Sequence, residues 1–359
     1  MDADPRIVPL RLRHPWGLSR GTAHELPTVL LRLGPAAAPL GLGEAAPVRY
    51  LHQSADRART LIAEICAGIR DADREDLAHH AARARDLAPE HSSARAAVDI
   101  ALWDAAARRR GRSLRDHLHA ERGPPLAPGA RETSFTIALD SLDEMTARAR
   151  EAAHLPILKI KLGRDPAFDR EALRRVASAA PSARLRVDAN GGWSPADARD
   201  MLVALADRGV EFVEQPLAHG QLDALAELRR TSPLPIYADE DIQGPESLPA
   251  LRGRVDGINI KLMKCGGISP ALEMIAAARR EGWRVLLGCM IESRIGLAAA
   301  ASLADRVDEA DLDAHMLTQD DPVPPGSQSE RTPAVPLLPG PGLGVALPSG
   351  PDLWGPWPP

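Results

Sequence analysis

The amino-acid sequence predicts an α/β protein in which a barrel of parallel strands follows a smaller α+β unit. Short apolar runs in the middle of the chain each end in a charged residue, and helical stretches separate the runs. From Lys161, through Asp188, Glu214 and Asp239 to Lys261, the steps are 27, 26, 25 and 22 residues. One strand, one helix and two short loops need about that length. Charged residues at the carboxyl ends of parallel strands indicate one active site at the barrel mouth.

Residues 1–125 are expected to form the α+β unit. Short β-like runs with turn residues over 5–50 indicate a small antiparallel sheet. Residues 54–119 have a helical pattern, and the last helix begins with serines suited to N-capping. A loop rich in proline and glycine, 122–131, then leads into the barrel, which is assigned to 126–321.

Eight apolar runs are the candidate strands of the barrel. They are SFTIAL (134–139), ILKIKL (157–162), LRVDAN (185–190), EFVEQP (211–216), IYADE (236–240), GINIKL (257–262), RVLLGCM (284–290) and ADLDA (310–314). Helical stretches such as DREALRRVASAA and SPALEMIAAARREG lie between them. Regular alternation of strand and helix is typical of a parallel α/β fold.

The composition changes after Asp321, because residues 322–359 contain many prolines and glycines and show no helical period. Two interpretations are open for this segment. One is a disordered tail, and the other is an extended segment, with PGLGVAL as a strand, that packs back on the N-terminal unit. The second interpretation is adopted as the prediction.

Composition and charge argue against several classes of protein. The net charge of −5, with mixed signs and no basic stripe, disfavours nucleic-acid binding. No apolar run approaches the ~20 residues needed to span a bilayer, and the N-terminus lacks a signal-peptide pattern. Cys66, Cys265 and Cys289 lie far apart, which suits a reducing compartment. We therefore expect a soluble cytoplasmic protein whose partner is a small-molecule substrate rather than a nucleic acid or a membrane. The sequence does not give the oligomeric state, although barrels of this kind often form homo-oligomers.

Three carboxylates are candidate ligands for Mg²⁺. Asp188, Glu214 and Asp239 end three adjacent candidate strands, so their side chains should converge at one side of the mouth. Mg²⁺ prefers octahedral oxygen ligation, and three negative charges packed together are costly without a cation. A single aspartate at a strand end is more often a helix cap or a loop salt bridge, so the prediction depends on the three together.

Lysines are expected on both sides of the carboxylates. Lys159 and Lys161 are two residues apart, so on a strand both point to one face, here the barrel interior. Lys261 lies further round the barrel, beyond the carboxylates. The metal and neighbouring ammonium groups are expected to lower the pKa of at least one lysine toward neutrality.

Such a layout fits proton transfer at carbon. One lysine would remove the proton α to a metal-held carboxylate, giving an enediolate, and an opposite lysine would return it. Racemisation or epimerisation results. The same layout also suits β-elimination or cycloisomerisation, so it defines the half-reaction and not the overall reaction.

The motifs KIKLG, VDANGGW, VEQP, ADED, INIKLMKCGGI and GCMIES together resemble the enolase superfamily, in particular its muconate-lactonizing enzyme subgroup. That family pairs a Lys or His base with Mg²⁺. The resemblance covers nearly the whole chain and implies a modified TIM barrel, (β/α)7β, with an N-terminal α+β capping domain. It also implies that the metal ligands are Asp188, Glu214 and Asp239. The two acid/base lysines would be Lys161 and Lys261, and Lys159 would lie near the substrate carboxylate.

The motif DLD selects a substrate class within this subgroup. Asp311 and Asp313 are two residues apart on the last candidate strand, so both should face the mouth. In dipeptide epimerases a DxD at this place holds the free α-ammonium of an L,L-dipeptide, and two carboxylates match the three donors of an ammonium group. The chain most resembles L-Ala-D/L-Glu epimerase-like enzymes. We therefore predict Mg²⁺-dependent epimerisation of the C-terminal residue of an L,L-dipeptide.

Further substrate contacts are expected at three positions. Thr136 lies on the first candidate strand, and Arg20 lies in the loop 15–24, which should close over the substrate. Arg294 follows GCMIES, where it would form either a structural salt bridge or a contact with an anionic substrate side chain. Arg20 and Arg294 together hint at an acidic side chain, as in Ala-Glu, while hydrophobic dipeptides remain open.

Three residues are expected next to the metal ligands. Asn190 and Glu240 follow Asp188 and Asp239 closely and are assigned to the surroundings of the ion. Asp241 stands where the family commonly has serine. It would add negative charge near the metal unless strand alternation turns it outward.

Other functions remain open at this point. A cycloisomerase or o-succinylbenzoate synthase on the same scaffold would not exchange the α-proton of dipeptides with solvent. A Schiff-base aldolase would be trapped by borohydride and would survive EDTA. A non-catalytic binding protein on a degenerate barrel is the third alternative, and the intact set of catalytic positions argues against it.

Overall fold

The N-terminal part of the chain forms the expected small antiparallel sheet. The structure is a computed structural model that describes residues 2–18, 21–34, 40–69, 76–124, 132–323, 333–335 and 337–345. Three strands pair in the order β1-β2-β3, with the bounds β1 Ala3–Leu18, β2 Gly21–Leu33 and β3 Gly41–Ala45. The cap sheet is therefore a simple meander.

Four helices complete this unit: α1 (Ala55–Ala67), α2 (Leu77–Leu87), α3 (Ser92–Arg109) and α4 (Leu114–Arg122). Helix α3 is rich in alanine and is buried along nearly its whole length. Small side chains let it approach both the sheet on one side and the barrel on the other. It is the central element between the two parts of the fold.

Eight parallel strands form the barrel, and each overlaps a run predicted from the sequence. Their bounds are β4 Phe135–Ile137, β5 Ile157–Lys161, β6 Arg184–Asp188, β7 Val210–Glu214, β8 Ile236–Ala238, β9 Gly257–Lys261, β10 Arg284–Gly288 and β11 Glu309–Asp311. They follow one another in chain order across the sheet. Ser134 N–H donates to Ala310 O at 3.2 Å, which joins the first strand to the last. The predicted α/β barrel with a small α+β unit is confirmed.

Helices follow most of the strands, and local sequence explains where they begin. They are α5 Leu142–Glu151, α6 Pro166–Ala179, α7 Pro195–Ala206, α8 Leu222–Thr231, α9 Leu262–Cys265, α10 Ile268–Glu281, α11 Arg294–Ala301 and α12 Ala314–Leu317. Asp165 and Ser194 cap α6 and α7, and each cap precedes a proline at the first helical position. Within the described residues, no helix is both long and apolar enough to cross a membrane.

Aromatic side chains fill the barrel beneath the mouth. Phe212 and Tyr237 stack with ring centroids 4.2 Å apart, and both are buried. They lie two residues before Glu214 and Asp239, so strand alternation places them on the same interior face one layer lower. This packing supports the charged layer above it.

Two carboxylates of the cap bind the amino ends of barrel helices. Glu44 accepts hydrogen bonds from Ser293 N–H at 2.8 Å and Gly296 N–H at 2.9 Å, at the start of α11. Asp99 of α3 accepts the N–H of Ile268 at 2.6 Å, at the start of α10. Negative charge at a helix amino end is favourable. These contacts fix the cap against the barrel.

Asp99 makes stability depend on pH. Burial raises its pKa from 3.8 to about 6, so the folded protein binds one more proton than the unfolded chain between those values. The free energy of unfolding of the parent, relative to an Asp99→Asn variant, should therefore fall as the pH rises from about 4 to 6 and stay flat above. Urea denaturation of both proteins across this range measures it. A difference between the parent and Asp99→Asn that stays flat across this range would contradict the prediction.

Residues 337–345 of the C-terminal segment contact the cap helices. Leu343 N–H donates to Asp104 Oδ1 at 2.7 Å, and Leu114 N–H donates to Gly342 O at 2.6 Å. The expected strand PGLGVAL is not formed by its described residues, where Gly342 makes one isolated bridge to Ser113. Gly342 and Gly344 have φ of 66° and 68°, which an extended strand excludes. The last two residues of that motif lie outside the described residues, and the proposed domain boundaries stay predictions.

Candidate active site

Three carboxylates meet at the carboxyl ends of neighbouring barrel strands. Asp188 ends β6, Glu214 ends β7, and Asp239 directly follows β8. Strand alternation turns all three into the barrel, where they are buried. One oxygen atom from each lies within 4.8 Å of the others. The structure therefore brings the three predicted metal ligands together.

Burial and charge set the protonation of this cluster. Burial raises the pKa of Glu214 to about 8, and the neighbouring Asp188 charge adds to the rise. Burial alone would also raise the pKa of Asp188 and Asp239, but adjacent lysine ammonium groups hold both below the ordinary range. Three buried carboxylates thus depend on positive charge at the site.

Lys159 and Lys161 project from β5 on one flank of the cluster. Lys159 Nζ lies 2.7 Å from both Glu214 Oε2 and Asp311 Oδ2. Lys161 Nζ donates to Asp188 Oδ2 at 2.5 Å. Both lysines are buried, as the spacing of two along a strand predicts for the barrel interior.

Lys261 occupies the opposite flank. It ends β9, and its Nζ donates to Asp239 Oδ2 at 2.8 Å. Strands β6, β7 and β8 separate β5 from β9 in the sheet. Lys161 and Lys261 therefore approach the carboxylates from two different sides.

Lys264 also belongs to the site, although it was not predicted from the sequence. It lies one helical turn after Lys261, is buried, and donates to Asp239 O at 2.6 Å and to Asp239 Oδ1. Composition could have revealed it, because the chain has 44 Lys and Arg residues of which four are lysine. All four lysines lie at this one site, and every other residue in that count is arginine. Such restriction indicates positions where arginine does not suffice.

The carboxylates govern the pKa values of these lysines. Burial alone would lower the pKa of Lys159 and of Lys261. Nearby carboxylates outweigh burial and raise both pKa values above the ordinary value. The strongest of these charges is Asp311 for Lys159 and Asp239 for Lys261. For Lys264 burial prevails and lowers the pKa. The expected lowering of a catalytic lysine pKa concerns the metal-bound protein and stays a prediction.

Asp311 and Asp313 lie together beside the first barrel strand. Asp311 accepts hydrogen bonds from Ser134 Oγ at 2.5 Å and Lys159 Nζ at 2.7 Å. Asp313 accepts the backbone N–H of Thr136 at 2.7 Å. Burial, together with the Asp311 charge, raises the pKa of Asp313 to about 7. The structure thus brings this pair and Thr136 next to Lys159.

Asn190 and Glu240 lie beside the cluster, as expected from their positions. Asn190 has a left-handed φ of 45° and donates its N–H to Asp188 Oδ1 at 2.9 Å. Its side-chain amide donates to Glu240 Oε1 at 3.3 Å. Burial, with Asp239 and Asp188 nearby, raises the pKa of Glu240 to about 7.

Asn259, which was not predicted from the sequence, also supports the cluster. Its Nδ2 donates to Glu214 Oε1 at 2.7 Å. Its place two residues before Lys261, on the same face of β9, is the pattern that could have identified it. Asp241, by contrast, is buried and directs its carboxylate to Gln215 Nε2 at 2.6 Å. Because β8 ends at Ala238, strand alternation does not set the orientation of Asp241.

The expected arginine contacts have different outcomes. Arg294 is buried, and its guanidinium donates to Val323 O at 3.0 Å and lies 3.4 Å from Asp321 Oδ2. This is the structural salt bridge of the two alternatives, and a substrate contact for Arg294 stays a prediction. Arg20 lies outside the described residues.

The donor set fits a hard divalent cation. Three carboxylates at close range are the ligand type that Mg²⁺ prefers in proteins. Among the residues that the structure describes, the buried Glu214 Oε2 receives no well-aligned hydrogen bond, although Lys159 Nζ lies 2.7 Å away. An oxygen atom of this kind is available for a metal ion.

Comparison with known proteins gives the family. Residues 142–349 match the family described as Enolase C-terminal domain-like, and residues 4–118 match the Mandelate racemase / muconate lactonizing enzyme N-terminal domain. The chain belongs to the enolase superfamily. The resemblance that the sequence motifs indicated is confirmed, and the two matches together cover both parts of this enolase-superfamily fold.

Its relatives within the superfamily include dipeptide epimerases. A hydrophobic dipeptide epimerase from Flavobacteria bacterium (strain MS024-2A) is 35% identical over 324 residues, which is 88% of this chain and 90% of that protein. An L-Ala-D/L-Glu epimerase from Bacteroides thetaiotaomicron is 34% identical over 316 residues, which is 87% and 79% respectively. The crystal structure of a dipeptide epimerase from Enterococcus faecalis V583, complexed with Mg and L-Leu-L-Tyr, has a TM-score of 0.89 at 28% identity and covers 96% of this chain and 98% of that chain.

Proposed function

We propose that this protein is a Mg²⁺-dependent dipeptide epimerase that inverts the α-carbon of the C-terminal residue of an L,L-dipeptide. One observation carries the proposal: buried lysines lie on opposite flanks of a three-carboxylate cluster, with a second carboxylate pair beside it. Similarity to dipeptide epimerases over most of the chain supports it.

Lys161 and Lys261 are the proposed acid/base pair. One takes the α-proton from its face of the substrate carbon, and the other delivers a proton to the opposite face, which inverts the configuration. Asp188, Glu214 and Asp239 would hold the Mg²⁺ ion, with Asn190 and Glu240 beside them. When bound, Mg²⁺ supplies positive charge that stabilises the enediolate formed on the substrate carboxylate.

The remaining residues are proposed to bind the substrate. Lys159 would lie near the substrate carboxylate, and Asp311 and Asp313 would accept the α-ammonium group. Thr136 supports this pair through the hydrogen bond from its backbone N–H to Asp313. Two buried carboxylates next to each other are costly, and an ammonium ligand offsets that cost.

The identity of the preferred side chains is open to both acidic and hydrophobic residues. The relatives named above include a hydrophobic dipeptide epimerase and an L-Ala-D/L-Glu epimerase. Arg294 pairs with Asp321 in the structure, which weakens the hint of an acidic substrate that this arginine gave. A substrate panel should therefore contain both classes.

Incubation of L,L-dipeptides with the enzyme and Mg²⁺ in D₂O tests the function. We expect at least one dipeptide to gain a single deuterium and to appear as the L,D-diastereomer, as followed by mass spectrometry and NMR. EDTA should stop the exchange, and added Mg²⁺ should restore it. Absence of deuterium from every dipeptide would favour a cycloisomerase or o-succinylbenzoate synthase, and exchange that survives EDTA would contradict the metal requirement.

A further inference from the structure

The side chain of Gln215 connects the loops after β7 and β8 through hydrogen bonds. This residue follows Glu214, is fully buried, and has a left-handed φ of 39°, which residues other than glycine seldom adopt. Its Oε1 accepts the backbone N–H of Asp239 at 3.0 Å and of Asp241 at 3.2 Å. Strand β8 ends at Ala238, so these bonds replace the sheet hydrogen bonds that would otherwise hold the backbone of Asp239.

Asp241 fixes the orientation of the Gln215 amide. Gln215 Nε2 donates to Asp241 Oδ2 at 2.6 Å and to Leu217 O at 2.9 Å. A flipped amide would set its oxygen against a carboxylate and a carbonyl, and its NH₂ group against two N–H donors. Only one orientation therefore satisfies all four hydrogen bonds.

The other oxygen of Asp241 is anchored in the loop that follows β7. Asp241 Oδ1 accepts the N–H of Gly220 at 2.7 Å and lies 2.8 Å from His219 Nδ1. A side chain with a single oxygen, such as that of serine, would be shorter than the aspartate. It cannot reach Gln215 and this loop together in the same way, so the connection depends on the aspartate of this chain.

We propose that Asp241 is a positioning residue that, through Gln215, holds Glu214 and Asp239 in the arrangement that binds Mg²⁺. The inference rests on the metal-ligand role proposed for those two carboxylates. Gln215 is joined to Glu214 by the main chain and to Asp239 by a hydrogen bond, so a shift of its amide changes the separation of the two ligands. Metal affinity is sensitive to such shifts because the ligands must keep a fixed geometry.

A calorimetric titration of the purified full-length protein with Mg²⁺ tests the proposal. We expect Asp241→Asn to weaken Mg²⁺ binding by roughly 10- to 100-fold, the usual effect of removing a residue that orients a ligand. Asp256→Asn is the matched control. Asp256 accepts the N–H of Ile236 at 3.0 Å at the opposite end of β8, so this variant should lower Tm without changing the Mg²⁺ dissociation constant.

The outcomes separate positioning from general stability. The Tm of metal-free Asp241→Asn should fall no further than that of Asp256→Asn, and Asp241→Glu, which keeps the charge, should recover part of the affinity. Unchanged Mg²⁺ affinity in Asp241→Asn, or an equal loss in Asp256→Asn, overturns the proposal. Since the titration needs no substrate, failure of the dipeptide assay with the parent protein would not affect this result.

Discussion

Replacement of Lys161 or Lys261 by arginine is expected to abolish epimerisation, with a loss of about 10²- to 10⁴-fold in kcat for each variant. Arginine keeps a positive charge among the buried carboxylates, so the cluster retains its compensation. Its guanidinium stays protonated at neutral pH and cannot take a proton from carbon. Activity should therefore be lost while the fold and the metal site persist.

The positions of the two lysines predict what each variant retains. Lys161 contacts Asp188 from the β5 flank, whereas Lys261 contacts Asp239 from the β9 flank. Each remaining lysine should still exchange the α-proton of the diastereomer whose proton faces it. We expect the two variants to exchange opposite diastereomers with D₂O, which NMR of separate L,L and L,D samples measures.

Controls must show that the variants remain intact. The circular dichroism spectrum, the Tm and the Mg²⁺ affinity of each variant should match those of the parent protein. Epimerisation by either arginine variant at the rate of the parent protein would refute the two-lysine mechanism. If one variant lost all exchange and the other still exchanged both diastereomers, all proton transfer would belong to a single lysine.

The barrel could be predicted from the sequence because each strand is specified locally. A short apolar run next to turn residues identifies a strand, and the runs recur at the length of one strand and one helix. The strand ends were less predictable. The run 236–240 was expected to be a strand, yet β8 stops at Ala238, since the N–H groups of Asp239 and Asp241 bond to the side chain of Gln215.

The main site residues were predictable for a related reason. Strand alternation requires Lys159 and Lys161 to share the interior face, and it places Asp188 and Glu214 at neighbouring strand ends. Residues that act across loops were not predictable in this way. Lys264 reaches Asp239 from a helix, so no strand period marks it.

Contacts between distant segments explain the remaining differences. Arg294 pairs with Asp321, and local sequence cannot choose between that partner and a substrate. The motif PGLGVAL has the apolar character of a strand, but its glycines adopt positive φ where Gly342 lies against Asp104 and Arg108. A Cβ atom on Gly342 would stand 1.9 Å from Asp104 Oδ1, so close packing on the cap decides the backbone conformation there.

Asp311→Asn and Asp313→Asn variants are expected to lose most of their activity on dipeptides with a free amino terminus. Removal of one partner from a buried charge pair costs about 2–5 kcal/mol, which corresponds to roughly 30- to several thousand-fold in kcat/KM. Asparagine keeps an acceptor for the Thr136 N–H, so the Asp313 contact seen in the structure can persist. The loss should therefore come from the missing charge.

N-acetylated dipeptides provide the control, because they lack the ammonium group that the two carboxylates are proposed to bind. The parent enzyme should prefer the free dipeptide strongly, and each variant should lose much of that preference. Activity on the acetylated form should change little in Asp313→Asn, whereas Asp311→Asn also removes the partner that lies 2.7 Å from Lys159 Nζ and should lower activity on both forms. The ratio of kcat/KM values for the two substrates reports this directly and cancels any common loss of folded protein. An unchanged ratio in both variants would show that Asp311 and Asp313 do not recognise the ammonium group. In that case the choice of substrate class would have to depend on the cap, since the lysines and the three-carboxylate cluster are proposed to act on the carboxylate end of the substrate.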